Sequence, residues 1–218
     1  MNRLIRSLIP AGMLLLGACA ALGGKHGSFA IYAPRLDLPA AQESATGRSP
    51  IAWQLLVDAP RTSAALDTTR IAVMPRPGVL EVYPDARWRD TAPTMLRSLV
   101  VQAFDHDGRI GGVSATDSGL NGDFSLSIEL RDFQVELAGE SASAAIRLTT
   151  KLFDRRSNRI VASQAFDEVV PAAGSDIGSA IPAFEQALNQ LLPKVVDWTV
   201  RQGEAHNPAT PAGEPEPA

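Results

Sequence analysis

The sequence has a single cysteine, Cys19, among 218 residues. A disulfide bond within the chain is therefore excluded. Only three lysines accompany the arginines, the formal net charge is -4, and no basic stripe runs along the chain. Because nucleic-acid-binding proteins use such a stripe to contact phosphates, we expect no nucleic-acid partner.

Histidine is also scarce, and motifs that carry catalysis are missing. The sequence contains no G-x-S-x-G, S-x-x-K or H-E-x-x-H motif, and its glycine-bearing stretches at 108–112 and 174–178 lack dinucleotide or P-loop spacing. The most suggestive cluster is Asp105-His106-Asp107, because carboxylates beside a histidine can bind a metal or move a proton. Adjacent helical residues point in different directions, so we interpret this cluster as a solvated helix end. We predict no enzymatic activity, no cofactor and no metal.

The N-terminal apolar run is too short and too interrupted for the ~20 apolar residues that a membrane-spanning helix needs. Arg3 and Arg6 precede it, which is the pattern of a signal peptide. The run ends in LGAC, a bacterial lipobox pattern that predicts cleavage before Cys19 and acylation of its thiol. The alternative is that Cys19 is discarded with an ordinary signal peptide.

Alanine, rather than the aspartate that retains many lipoproteins at the inner membrane, follows the cysteine. This favours the outer membrane. We divide the chain into a signal peptide (1–18), a flexible tether (19–28), one folded domain (29–202) and a disordered tail (203–218). The tail consists largely of proline, alanine, glutamate and glycine, which bury too little apolar surface to offset the entropy of ordering.

Apolar periodicity and turn residues predict the elements of the domain. Strands are predicted at 28–32, 53–57, 69–74, 80–83, 110–113, 124–137, 144–153 and 160–170. A slip in the alternation at Arg131-Asp132 predicts a bulge, and Pro84 is predicted to end the fourth strand.

Two helices complete the prediction, one from Asp90 or Thr91 to Gly108 and one that begins near Ile181-Pro182. Pro193 is expected to kink or interrupt the second helix. The order of elements favours an α+β fold in which a mostly antiparallel sheet carries two amphipathic helices on one face.

The stretch from Tyr83 to Trp88 has the composition of a protein interface. Tyr83, Arg87 and Trp88 lie in what we predict to be a loop between a strand and a helix, and such side chains dominate binding at many interfaces. Trp88 could equally close the hydrophobic core.

The region from Trp53 to Ile110 resembles the ABC-type transport auxiliary lipoprotein family, which includes the paraquat-inducible lipoprotein. The shared positions are Leu55-Leu56-Val57, Leu66-Asp67, Arg70 to Val73, Tyr83, Trp88, Leu96 and Gly108-Arg109. They are packing and turn positions, and the likeness extends over nearly all of the mature domain.

The resemblance implies an outer-membrane lipoprotein that faces the periplasm and docks an MCE (mammalian cell entry) protein of a lipid ABC transport system. The permease and the ATPase would lie at the inner membrane, and this chain could also form a homo-oligomer. Two alternatives stay open. One is a structural envelope lipoprotein unrelated to transport, and the other is a periplasmic hydrolase, for which only His106 lies within the folded region.

Overall fold

A computed structural model describes residues 28–38 and 51–206. The predicted signal peptide, most of the tether and the tail beyond residue 206 lie outside these ranges. The described strands and α-helices are β1 (Ala30–Tyr32), β2 (Ile51–Val57), β3 (Arg70–Arg76), β4 (Val79–Trp88), α1 (Ala92–Asp107), β5 (Ile110–Ala115), β6 (Phe124–Ala138), β7 (Ser141–Asp154), β8 (Arg159–Pro171) and α2 (Ile177–His206).

The last three strands form the predicted meander. β7 pairs antiparallel with β6 along its whole length and with β8 on its other side. The pairing of β6 with β7 shifts between Leu130 and Asp132, which confirms the bulge predicted there. Asp154 closes the β7–β8 turn by accepting hydrogen bonds from the backbone N–H groups of Arg156 and Ser157 at 2.8 and 3.0 Å.

The other edge of β6 is shared by two strands. β2 runs parallel to the start of β6, and β3 runs parallel to its end. Between them, the Arg61 N–H donates to the Ile128 carbonyl at 2.8 Å and the Leu130 N–H donates to the Arg61 carbonyl at 2.8 Å. β5 then extends the sheet from β2, while β4 and β1 extend it from β3. The result is the predicted α+β domain, an eight-stranded open sheet that is mostly antiparallel by paired residues.

Both helices bury one apolar side. α1 ends at Gly108, whose left-handed conformation (φ 70°) allows its N–H to bond the Phe104 carbonyl at 3.0 Å. α2 packs on β7 and β8 and also contacts α1. Asp176 starts α2, because its carboxylate accepts hydrogen bonds from the Ser179 N–H and hydroxyl at 3.0 and 2.6 Å.

Aromatic rings join the sheet to α2. Trp88 of β4 contacts Phe133 of β6 at a centroid distance of 5.4 Å and Phe184 of α2 at 5.2 Å. At the other end of the core, Trp53 meets Phe124 edge-on at 5.1 Å. The core therefore lies between the helices and one face of the sheet.

The structure corrects the expected end of β4 at Pro84 and, of the two effects expected of Pro193, excludes an interruption of α2. β4 continues through Pro84 to Trp88, because Pro84 lies in a bulge where a missing N–H costs no ladder hydrogen bond. α2 continues through Pro193, so that proline does not interrupt it. The helix also begins earlier than predicted, at Ile177, and includes residues 203–206, which the sequence had assigned to the tail.

Candidate docking surface

One face of the sheet is not covered by the helices, and we call it the open face. Along β6, core residues such as Leu126 and Ile128 alternate with Ser125, Ser127 and Glu129, which point to the open face. The open face is therefore mixed and largely polar, in contrast to the aromatic core behind it.

Arg147 occupies the middle of the open face on β7. Its guanidinium contacts Glu136 at 2.6 Å, Asp132 at 3.2 Å and Asp167 at 3.0 Å. The hydrogen bond from Arg147 lowers the pKa of the Glu136 carboxyl, and burial opposes that shift. The cluster joins three adjacent strands by charge-assisted hydrogen bonds.

The predicted interface stretch forms the end of β4 instead of a loop. Arg70 pairs with Arg87 and Ala72 pairs with Val82, so β4 carries extra residues that bulge out of the ladder. The Arg87 guanidinium holds this bulge by donating to the carbonyls of Tyr83, Pro84 and Ala86 at 3.2, 3.1 and 2.6 Å. Arg87, which the sequence predicts at an interface, therefore also stabilises the backbone conformation of β4.

Tyr83 ties β4 to the start of α2. Its hydroxyl donates to the Ser175 carbonyl at 2.8 Å. Burial, and secondarily the nearby Asp176 charge, raises the pKa of the Tyr83 phenol. The ring is half-buried against the core, so Tyr83 offers a partner only part of its surface.

Trp88 lies in the core and not at the surface, since only 2% of it is exposed and its ring is enclosed by Phe133 and Phe184. Of the two alternatives stated for Trp88, the structure supports the core. The physical reason is strand alternation: Arg87 and Trp88 are neighbours in β4 and therefore point to opposite faces.

Two exposed apolar residues were missed by the sequence analysis. Phe29 is 53% exposed and Ile31 of the edge strand β1 is 64% exposed. Ile31 pairs with Arg87, whose guanidinium also lies over the Phe29 ring at 5.5 Å. We call Phe29, Ile31 and Arg87 the β1 patch. The alternating side chains of Phe29-Ala30-Ile31-Tyr32, next to the predicted tether, were a sequence signal for the β1 patch. The sequence could not show which face of that strand is exposed to water.

Of the Asp105-His106-Asp107 cluster, Asp107 is linked to α2 through Arg109. Asp107 accepts a hydrogen bond from Arg109 Nε at 2.7 Å, and Arg109 Nη1 reaches Asp197 of α2 at 3.2 Å. Burial raises the pKa of the Asp105 carboxyl. Across residues 28–38 and 51–206, no group of three histidine, cysteine or acidic residues is arranged to hold a metal ion.

The predicted acylation site, Cys19, lies outside the described residues. Within the part of the chain that the structure describes, no helix is both long enough and apolar enough to cross a bilayer.

Residues 35–196 match the family described as the ABC-type transport auxiliary lipoprotein component. The chain belongs to this family. It is also called DUF330, and its description names a transport component and no reaction. The family is one of lipoproteins, as the sequence predicted.

Two solved structures have the same fold. The chain is 35% identical to a DUF330 protein from Xanthomonas campestris, with a TM-score of 0.75 over 83% of this chain and 99% of that one. A second crystal structure, titled only as an uncharacterized protein, has a TM-score of 0.61 at 13% identity and covers 78% of this chain and 98% of that one. Among curated proteins, none matches the sequence.

Proposed function

We propose that this member of the auxiliary lipoprotein family is anchored by an acylated Cys19 in the outer membrane, faces the periplasm, and docks an MCE-domain protein of an ABC lipid transport system. Family membership supports the link to ABC-type transport. The lipobox and the alanine after Cys19 support the anchor and the membrane. This chain has a binding role in the proposal and carries out no reaction.

The observation that carries the docking role is the β1 patch. Phe29 and Ile31 expose apolar surface at a sheet edge, and Arg87 lies over the Phe29 ring. Aromatic, aliphatic and arginine side chains grouped in this way are typical of binding hot spots. β1 also begins directly after the predicted tether, so a partner bound there would be held close to the membrane anchor.

The edge position of β1 adds a second means of binding. Among the strands within residues 28–38 and 51–206, β1 pairs with β4 alone, and we propose that the backbone groups on its outer side pair with a strand of the partner. The mechanism we propose is mechanical. The acyl chains hold the domain at the membrane, the β1 patch holds the MCE protein, and lipid moves through the assembly.

The test is affinity purification of the acylated full chain from its native envelope after mild crosslinking. We expect an MCE-domain protein among its neighbours, and we expect Phe29→Ser with Ile31→Ser to reduce its recovery. Ile160→Ser is the matched control, because Ile160 is also 53% exposed but lies in β8, far from β1. Thermal melting of each variant verifies folding.

The two alternative functions predict different results. Recovery of envelope proteins without any MCE-domain protein would favour a structural lipoprotein unrelated to transport. Recovery of the MCE protein by the double variant at the parent's level would place the contact elsewhere. The second alternative, a hydrolase, is tested by complementation of a deletion strain. It predicts that His106→Ala abolishes function without unfolding the protein, whereas our proposal predicts full complementation by that variant.

The anchor is tested separately by mass spectrometry of the N-terminal peptide. We expect the mature chain to begin at Cys19 with acyl groups on the thiol and the amine. Cys19→Ser is the control, and it should leave the chain unprocessed or released from the membrane. An unmodified N-terminus that begins at another residue would contradict the proposal.

A further inference from the structure

A groove of about 490 Å³ lies on the open face, at the end of the sheet where β6 begins. Its lining brings together three segments: the stretch after β2, the start of β6 and the β7–β8 turn. The lining residues are Asp58, Ala59, Arg61, Ser125, Ser127, Phe153, Arg155 and Asn158. The volume is in the range of small-molecule sites.

Two arginines line this groove from opposite edges of β6 because of the sheet register. The backbone of Arg61 forms an isolated β-bridge with that of Glu129 on one edge of β6. Arg155 follows β7 on the other edge, where its N–H donates to the Asp123 carbonyl at 2.9 Å. Ser125 lies between them and pairs directly with Phe153. Two cations, two serine hydroxyls and one aromatic side chain therefore line the same cavity.

The charges of these arginines are not used in ion pairs within the described residues. The arginines that form ion pairs there are Arg97, Arg109, Arg131, Arg147 and Arg201. Lys151, which pairs with Ser127 next to the groove, is also not among the paired cations.

The nearby carboxylates, by contrast, have partners. Asp58 accepts a hydrogen bond from the Thr116 hydroxyl at 2.6 Å, and Asp123 accepts one from the Gln54 N–H at 2.9 Å. Asp154 closes the turn beside the groove with two backbone hydrogen bonds. These neutral donors leave the carboxylates charged, so the excess of positive charge in the groove comes from its lining, which has two arginines, Arg61 and Arg155, against the one carboxylate of Asp58.

We propose that this groove binds a phosphate group, with Arg61 and Arg155 as its cationic ligands and Ser125 and Ser127 as hydroxyl donors. Arginine pairs with phosphate through two parallel N–H donors, and a phosphate accepts several such bonds at once. Phe153 provides apolar contact for the organic part of a phosphodiester. The phosphate could come from a glycerophospholipid headgroup or from free inorganic phosphate. This site is independent of the β1 patch.

The test is isothermal titration of the acylated full chain in a neutral maltoside detergent. Three water-soluble probes are compared: inorganic phosphate, glycerophosphoglycerol as a headgroup without acyl chains, and glycerol without phosphate. We expect binding of at least one phosphate probe and none of glycerol. Tighter binding of glycerophosphoglycerol identifies a lipid headgroup as the source, and tighter binding of inorganic phosphate identifies the free anion.

Arg61→Gln and Arg155→Gln should each weaken binding roughly tenfold, as expected for loss of a charge-assisted hydrogen bond. Arg76→Gln is the matched control, because it removes the same charge from the end of β3, which lies toward the far end of β6. Arg61→Lys keeps the charge but loses the planar pair of donors, so intermediate affinity is expected. Melting temperatures show that all four variants fold.

Three results would overturn the proposal. They are no binding of either phosphate probe, unchanged affinity in both glutamine variants, and equal weakening by Arg76→Gln. A loss of MCE-protein docking in the Arg61 and Arg155 variants, without any phosphate binding by the parent, would also overturn it and would assign these arginines to a protein contact. Failure of docking through the β1 patch leaves this experiment unaffected.

Discussion

The two faces of the sheet use the same strands for different purposes. On the covered face, Trp88 packs edge to face against Phe133 of β6 and against Phe184 of α2. On the open face, Arg147 holds three carboxylates, and other charged side chains reach solvent. Burial of apolar area makes the covered face contribute strongly to the free energy of unfolding, whereas exposed ion pairs contribute little. Residues on the open face can therefore contact a partner or ligand with little effect on folding stability.

Trp88→Ala should produce the largest loss of stability. The change empties a fully buried site between Phe133 and Phe184, and such truncations cost about 3 to 5 kcal/mol. Urea unfolding measures the cost. Arg87→Ala, one residue away on the opposite face, is the control and should cost much less. Equal losses in the two variants would contradict the contrast between the faces.

Gly203→Ala should produce the second largest loss of stability. An added Cβ would lie 2.4 Å from a ring carbon of Trp53, so the end of α2 must move away from β2. Overpacking of this kind costs about 1 to 3 kcal/mol, which outweighs the helix-forming advantage of alanine. Urea unfolding followed by tryptophan fluorescence reports it. Glu204→Ala is the control at an exposed position. If Gly203→Ala is as stable as the parent, the end of the helix adjusts freely to the added methyl group.

Arg147→Gln should cost about 1 kcal/mol at pH 7, because its ion pairs are partly exposed. Arg147 lowers the pKa of Glu136 in the folded state. This contribution is present above the unfolded pKa of about 4.3 and is lost as pH falls through the folded pKa. The difference between parent and variant should therefore shrink in acid. Arg131→Gln is the control, and a difference that grows toward low pH would contradict the assignment.

Tyr83→Phe should have the smallest effect of these four changes. It removes one hydrogen bond of 2.8 Å to the Ser175 carbonyl, and water can replace that bond. We expect about 0.5 to 1 kcal/mol by thermal unfolding. Tyr32→Phe is the matched control at another half-buried tyrosine. A loss above that of Gly203→Ala would mean that the link between β4 and α2 matters more than the local contacts indicate.

Most elements of the fold followed from periodicity. Alternation located β6 and its bulge, because the slip at Arg131-Asp132 shifts the pairing in the same place. The sequence analysis placed the start of α2 too late, near Ile181-Pro182, because it considered Asp176 only as part of the glycine-bearing stretch at 174–178, although its side chain caps the helix. β4 was ended too early, because the rule that proline stops a strand does not hold inside a bulge.

The candidate surface was predictable only in part. The sequence selected Tyr83, Arg87 and Trp88 by composition, but neighbouring strand residues point to opposite faces, so the three cannot act together. Phe29 and Ile31 were recognised only as strand residues, since exposure depends on what packs against a strand.

The sequence by itself determined the alternating strands, the two amphipathic helices and the family, and it predicts a leader (1–18) that is cleaved before Cys19. These depend on local periodicity and on motifs that are contiguous in the chain. Tertiary structure alone decided that Gly203 touches Trp53, that β2 and β3 share one edge of β6, and that Arg61 and Arg155 line one groove. Those contacts join residues far apart in sequence, and their formation depends on strand order and register, which no local pattern specifies.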